Sequence, residues 1–164
     1  MGFFNKKAPK ELIIYSPVDG KIKDLKDVKD EVFSSKMVGD GIAIVPTSSD
    51  VMSPLEKGKI VTAFPTGHAI GIETPEKVGI LVHIGVDTVT LNGKGFDLKV
   101  SLDQKINKET LLSSIDLKII EKEAVASDIM ILATKETMEG KKIEYIKNEG
   151  DVKVGDALYK IVNK

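Results

Sequence analysis

A β-hairpin is encoded in residues 68–84, His68-Ala69-Ile70-Gly71-Ile72-Glu73-Thr74-Pro75-Glu76-Lys77-Val78-Gly79-Ile80-Leu81-Val82-His83-Ile84. Two apolar runs flank Thr74-Pro75-Glu76-Lys77, which has the composition of a four-residue hairpin loop. If the loop is centred between Pro75 and Glu76, facing residues have numbers that sum to 151, and His68 faces His83. Facing residues of antiparallel strands have Cα atoms about 4.5 to 5.5 Å apart. This register predicts that the chain's only two histidines touch.

Short alternating apolar runs recur along the rest of the chain and are separated by turn signals. The clearest signals are Asp19-Gly20, Asp40-Gly41, Asn92-Gly93, Glu149-Gly150 and Gly155-Asp156. Strands at this spacing predict an all-β fold, an antiparallel β-sandwich or barrel. Residues 88–91 are included among these strands. We expect only one or two short helical turns, of which one runs from Leu117 to about Ala124 with Asp116 as N-cap.

Two pairs of segments resemble each other and indicate duplicated hairpin motifs. Residues 16–22 resemble residues 53–60, and residues 38–44 resemble residues 154–161. Two such units packed face to face would bury a common apolar layer that a single hairpin cannot bury. We expect residues 11–164 to form one β-sandwich domain and residues 1–10 to form a flexible N-terminal segment.

The composition excludes several classes of function. The formal net charge is −1, and lysines are interleaved with acidic residues, so the sequence lacks the concentrated positive charge that nucleic-acid binding requires. The absence of cysteine excludes disulfides and thiolate metal sites. No apolar run has the roughly 18 residues of a membrane span, so we expect a cytoplasmic protein. Phe3 and Phe4 lie beside lysines and allow at most weak membrane contact.

Paired histidines suit phosphoryl transfer, because a neutral imidazole is a nucleophile at pH 7. In this interpretation His83 accepts the phosphoryl group and His68 donates an N–H to its oxygens. Thr66, two residues before His68, is the nearest group that could fix the tautomer of that ring. Asp87 could either orient His83 or repel the phosphoryl group towards transfer.

Three alternatives remain open at this point. A histidine on an apolar strand is often purely structural. A zinc-dependent hydrolase could use His68 and His83, although two histidines fall short of the usual three or four protein ligands unless Asp87 or a partner completes the site. The duplicated hairpins also resemble those of a lipoyl- or biotinyl-type carrier, but Lys36-Met37 lacks the preceding methionine and the hairpin-tip setting of a carrier lysine.

The motifs resemble those of the glucose-type enzyme IIA component of the bacterial phosphoenolpyruvate-dependent sugar phosphotransferase system. The matching runs are 36–44, 68–72, 78–89 and 91–96, together with the Pro17 and Pro54 repeats. The resemblance implies an antiparallel β-sandwich in which His83 accepts a phosphoryl group from the phosphocarrier HPr and passes it to a cysteine of a IIB domain. It implies that His68 supports the phosphoryl group and that Thr66 binds the His68 ring.

The resemblance also implies an apolar surface on which both partners dock. The matching positions are Phe33, Met37, Val38, Ile42, Phe64, Ile70, Leu81, Val86 and Val89. It implies no cofactor, although some relatives inhibit permeases or enzymes through a zinc ion bound between the two histidines and a partner's glutamate. Serving two successive partners with one face favours a monomer.

Overall fold

The computed structural model describes residues 11–164, in which most regular structure is antiparallel β-strand. Fourteen strands are present in the described residues: β1 Leu12–Tyr15, β2 Gly20–Lys23, β3 Gly39–Pro46, β4 Asp50–Met52, β5 Lys57–Ala63, β6 Ala69–Glu73, β7 Gly79–Val86, β8 Phe96–Leu98, β9 Lys105–Asn107, β10 Leu111–Ile115, β11 Ala126–Thr134, β12 Lys141–Tyr145, β13 Asp151–Val152 and β14 Ala157–Asn163. The helices are α1 Glu31–Ser34 and α2 Leu117–Glu123, with 3₁₀ turns at Leu25–Asp27, Thr88–Leu91 and Lys135–Thr137. The expected flexible segment 1–10 and the membrane contact from Phe3 and Phe4 lie outside the described residues.

The strands form one large sheet and two small ones. The large sheet has eight strands in the order β13-β2-β3-β11-β7-β6-β5-β9, and the three-stranded sheets have the orders β1-β14-β12 and β4-β10-β8. Apolar side chains from all three sheets, among them Ile14, Leu112 and Ile131, form the main core between the layers. The predicted all-β sandwich is therefore confirmed.

A second apolar cluster covers the outer face of the large sheet. Its buried members are Leu25, Val28, Phe33, Ala43, Val86, Met130 and Leu132. Successive side chains of a strand point to opposite faces, so β7 sends Ile80, Val82 and Ile84 into the main core and His83 to the outer face. The outer cluster therefore lies beneath the histidine.

The duplication is visible in the hydrogen bonds of one repeat pair. Ser16 Oγ donates to the Val18 carbonyl at 2.6 Å, and Ser53 Oγ donates to the Leu55 carbonyl at 3.0 Å. The two repeats also bond to each other, because the Tyr15 and Met52 amides donate to the Pro54 and Pro17 carbonyls. The second predicted pair is not equivalent: residues 39–41 belong to β3, whereas residues 155–156 form the turn before β14.

The register of the β6–β7 hairpin differs from the prediction by one residue. His83 pairs with Ala69, and Ile80 pairs with Ile72, so facing residues sum to 152. The loop has three residues, because the Thr74 amide donates to the Val78 carbonyl and Lys77 adopts φ 67°. A three-residue loop that ends in the left-handed region is a common hairpin connection, and its odd length shifts the register.

Two local predictions had different outcomes. Helix α2 forms where expected, and the Asp116 side chain accepts a hydrogen bond from the Ile119 amide as N-cap. The predicted strand at residues 88–91 is wrong, because Gly85 and Asp87 adopt φ 80° and 60° and the chain turns into a 3₁₀ helix. Among the described residues no helix has both the length and the apolar character of a membrane-crossing segment.

Candidate functional site

His83 lies on the outer face of β7, near the centre of the large sheet. Its ring is half-buried and lies 4.6 Å from the Phe33 ring, measured between centroids. Its Nδ1 is 2.9 Å from the Gly85 carbonyl oxygen. Since a carbonyl can only accept, Nδ1 carries the proton and Nε2 carries the free lone pair.

Gly85 positions that carbonyl by adopting a positive-φ backbone conformation, which residues other than glycine rarely adopt. Its φ is +80°, and an added Cβ would lie 2.3 Å from Cγ2 of the buried Thr88. Thr88 is fixed in turn by a hydrogen bond from its Oγ1 to the Ile84 carbonyl at 2.5 Å. The amino-acid sequence does not reveal this group, because no side-chain pattern indicates a backbone acceptor.

The His68 ring reaches His83 despite the shifted register. The ring centroids are 5.4 Å apart with an interplanar angle of 78°. In a regular pair His68 would face Ile84, to whose amide its carbonyl does bond, and would point to the opposite face. His68, however, lies outside β6 and follows Gly67, whose φ is 75°. The alternation of side chains along a strand therefore does not determine the direction of the His68 ring.

Two neighbours hold the His68 ring. Thr66 Oγ1 lies 2.6 Å from its Nδ1, and the Phe64 ring stacks on it at 5.3 Å between centroids. Thr66 lies in the turn between β5 and β6. With the Thr66 hydroxyl as donor to Nδ1, the His68 Nε2 carries a proton that can point at an anion beside His83.

Burial lowers the pKa of both histidines. The pKa of His83 falls to about 4, first because its ring is desolvated and second because His68 lies beside it. The Gly85 carbonyl and the charge of Asp30 oppose the shift. Burial alone lowers the pKa of His68. His83 is therefore neutral and nucleophilic at physiological pH.

We expect the ring resonances of His83 to titrate near pH 4 in an NMR pH series. The unfolded chain takes up a proton near pH 6.5 and the native ring does not, so this histidine lowers native stability as the pH falls from 6.5 to 4, by about 3 kcal/mol at most. A His83→Gln variant lacks this effect, and its free energy of unfolding should fall less over that range. A His83 midpoint at pH 6 or above would contradict the buried, neutral ring.

The residues predicted to form the docking surface divide into three groups by their burial. Phe33 contacts His83, and Val38 and Leu81 pack at the edge of the outer cluster. Met37, Phe64 and Val89 expose 66%, 46% and 53% of their surfaces. Ile42 and Ile70 belong to the main core and Val86 to the outer cluster, and their exposed fractions are 3%, 0% and 1%. The prediction that these three residues contact a docking partner is therefore wrong, because their side chains pack inside the protein.

Asp87 does not orient His83. The Gly85 carbonyl occupies Nδ1, and Asp87 lies exposed in the turn that follows, where its own carbonyl accepts from Thr90 Oγ1 at 2.7 Å. The positive φ of Asp87 gives it a role in ending the strand.

The geometry does not favour the hydrolase or the carrier. Within residues 11–164 no group of three or more histidine, cysteine, aspartate or glutamate side chains is arranged to hold a metal, so His68 and His83 alone offer two ligands where catalytic zinc uses three. Lys36 lies between α1 and β3, not at the tip of a hairpin, and its Nζ is 3.4 Å from Asp40 Oδ1.

Comparison with known proteins gives consistent matches along the chain. Residues 12–139 match the family model of the phosphoenolpyruvate-dependent sugar phosphotransferase system, EIIA 1. The glucose-specific EIIA component of Mycoplasma capricolum is 46% identical over 158 residues, which cover 96% of this chain and 97% of that protein. The glucose-specific EIICBA component of Staphylococcus carnosus is 39% identical over 146 residues, 89% of this chain but 21% of that longer protein.

A solved structure agrees with the fold. Glucose permease IIA from Mycoplasma capricolum superposes with a TM-score of 0.87 at 45% sequence identity, covering 98% of this chain and 99% of that one. The likeness therefore extends over both the sandwich and the hairpin that holds the two histidines.

Proposed function

Because the chain belongs to the glucose-type enzyme IIA family of the phosphoenolpyruvate-dependent sugar phosphotransferase system, we propose that it carries phosphoryl groups on His83 Nε2. The donor is the phosphohistidine of HPr, and the acceptor is the cysteine of a IIB domain in a glucose-type permease. The observation that carries this proposal is the pairing of His68 with a His83 ring whose Nδ1 is held by the Gly85 carbonyl.

The transfer consists of two displacements at phosphorus. In the first, the Nε2 lone pair of His83 forms a P–N bond while the P–N bond of phospho-HPr breaks and its electron pair returns to the HPr ring. In the second, the IIB thiolate forms a P–S bond while the P–N bond at His83 breaks. The protein contributes position and electrostatic stabilisation, as in other phosphoryl transfers.

The surroundings of His83 suit this cycle. The outer apolar cluster excludes water from one side of the ring, and the neutral state keeps the lone pair available. His68 Nε2–H offers a donor to the phosphoryl oxygens, which the apolar neighbours cannot solvate.

Both partners dock on one apolar surface around the histidines. Its exposed members are Met37, Phe64 and Val89, and Phe33, Val38 and Leu81 support them. The fused organisation named in the Staphylococcus carnosus relative supports a IIB partner. A shared face requires sequential binding, which suits a monomer, and partners of this kind suit a cytoplasmic protein.

The proposal is tested by incubating the protein with phosphoenolpyruvate, enzyme I and HPr. We expect one base-stable, acid-labile phosphoryl group per chain, mapped by mass spectrometry to the peptide that contains His83. Omission of HPr should prevent labelling. A phosphoryl group on another residue, or labelling that needs neither enzyme I nor HPr, would contradict the proposed function.

Removal of the Thr66 hydroxyl is expected to slow transfer to IIB about tenfold, because the orientation of the His68 ring is then unfixed. Thr66→Val keeps the shape of the side chain, and Thr66→Ser keeps the hydroxyl as the matched control. Single-turnover transfer from the phosphorylated protein to a IIB domain measures the effect. Equal rates for the two variants would remove Thr66 from the mechanism.

A further inference from the structure

A hollow of about 360 Å³ lies at the edge of the large sheet, between β5, β9 and the β6–β7 loop. Four of its lining residues are lysines, Lys57, Lys59, Lys77 and Lys105. Its only acidic lining residue is Glu73, so the side chains around it sum to a charge of +3. The two histidines do not line this hollow.

Two of these lysines are placed against each other by the strand register. Lys59 of β5 pairs with Lys105 of β9, and Lys57 lies two residues earlier on the same face of β5. Like charges directly opposite each other in adjacent strands destabilise a sheet. Lys59 also faces Glu73 of β6, which offsets part of this repulsion, so a bound anion would remove only the remainder.

Within this hollow the lysines have one acidic neighbour, Glu73, and Lys57 also lines a smaller hollow with Glu11, Glu56 and Glu76. The Lys77 Nζ lies 3.8 Å from Glu73 Oε1, and within residues 11–164 Lys57, Lys59 and Lys105 take part in no ion pair. A second lysine-lined hollow of about 470 Å³, between α1 and β12, also has four lysines and one aspartate in its lining, but two of its lysines are paired. There Lys36 pairs with Asp40 at 3.4 Å, and Lys142 pairs with Glu144 at 3.7 Å.

We propose that the hollow at the β5–β9 edge binds a small phosphate monoester. A phosphate monoester carries a charge between about −1.5 and −2 near pH 7, which matches the excess of positive charge. Lysine is a usual phosphate ligand and acts as a point charge, so several ammonium groups can share the phosphate oxygens. The volume lies at the lower end of the range for small-molecule sites, about 300 to 1,000 Å³. A lipid phosphodiester carries a single negative charge and fits the cluster less well.

The test is an NMR titration of ¹⁵N-labelled protein, first with inorganic phosphate and then with glycerol 3-phosphate, at an ionic strength held constant with sodium chloride. We expect saturable shifts of the backbone amides in residues 57–59, 73–77 and 105–107. The Lys59→Gln/Lys105→Gln double variant should bind at least tenfold more weakly. The matched control, Lys135→Gln/Lys142→Gln in the second hollow, should bind as the wild type does.

Thermal unfolding gives a second readout that does not depend on the NMR spectrum. Phosphate should raise the Tm of the wild type more than chloride at equal ionic strength, and this difference should be smaller in the double variant, which keeps only the general stabilising effect of phosphate. If the double variant does not fold, Lys105→Gln on the edge strand replaces it in both measurements.

Several results would overturn the proposal. They are shifts confined to residues 66–68 and 83–85, undiminished affinity in the double variant, an equal Tm response to chloride, and binding only to phosphatidylglycerol vesicles. Shifts at residues 66–68 and 83–85 report the histidine site separately, so this test does not depend on the phosphocarrier assignment.

Discussion

Replacement of His83 by glutamine is expected to abolish phosphoryl acceptance, with a loss of more than about 10³-fold, because the group that forms the covalent bond is removed. An amide nitrogen shares its lone pair with the adjacent carbonyl and cannot attack phosphorus. Glutamine has a length similar to the reach of Nε2 and can pack against Phe33, so we expect the fold to persist. Labelling from phosphoenolpyruvate through enzyme I and HPr measures the loss, and circular dichroism with thermal unfolding checks the fold.

The matched control for this experiment is His68→Gln, which makes the same chemical change at the neighbouring ring, 5.4 Å away. This variant should still become labelled. If His83→Gln were labelled normally and His68→Gln were not, the assignment of acceptor and support would be reversed. If both were labelled normally, His83 would not be the sole acceptor.

The sandwich was predictable because it depends on features that a sequence displays directly. Alternation of apolar and polar residues gave the strands, and turn dipeptides separated them. The repeat at Ser16 and Ser53 was recognisable because the same local hydrogen bond needs the same serine in each copy. The similarity of residues 38–44 to residues 154–161 was misleading, because a Gly-Asp dipeptide serves equally in a strand and in a turn.

The hairpin register was not predictable from composition, because loops of three and four residues use the same residue types. Lys77 adopts the left-handed conformation that glycine favours, but a lysine at that position gives no sign of it in the sequence. The two histidines lie side by side, as predicted, although the predicted register was wrong by one residue. His68 lies before β6, after Gly67, where strand alternation no longer governs the direction of a side chain.

The site was predictable to the extent that it consists of side chains. His68, His83 and Thr66 are brought together, whereas the group that orients His83 is the backbone carbonyl of Gly85. The docking surface was only partly predictable, because apolar residues on strands occupy both faces of the large sheet. Ile42 and Ile70 point to the main core, and a one-residue change of register decides such an assignment.

His68→Gln is expected to separate acceptance from donation. A glutamine amide still offers an N–H to the phosphoryl oxygens, so His83 should become fully phosphorylated. Transfer onward brings a IIB thiolate towards a phosphoryl group that is already negatively charged. That step needs positive charge beside the phosphoryl group, and an amide cannot supply it.

An imidazole can supply that charge. Burial lowers the pKa of His68 in the free protein, which keeps the ring neutral before transfer. A phosphoryl dianion on the adjacent ring opposes this effect, because a nearby negative charge favours the imidazolium form. In the proposed transfer to IIB this imidazolium stabilises the transition state, so its loss should slow that step by about 10² to 10³-fold, the usual effect of deleting one such donor.

Single-turnover transfer from the isolated phosphoprotein to a IIB domain measures this step directly, with the hydrolysis of phospho-His83 as a parallel readout. His68→Ala serves as the comparison, because alanine removes the donor as well as the charge and should slow both acceptance and donation. If His68→Gln donates at the wild-type rate, a neutral hydrogen bond is sufficient and the proposed protonation of His68 does not occur. If it fails to accept, the amide has displaced the His83 ring, which the distance of 2.9 Å from Nδ1 to the Gly85 carbonyl should prevent.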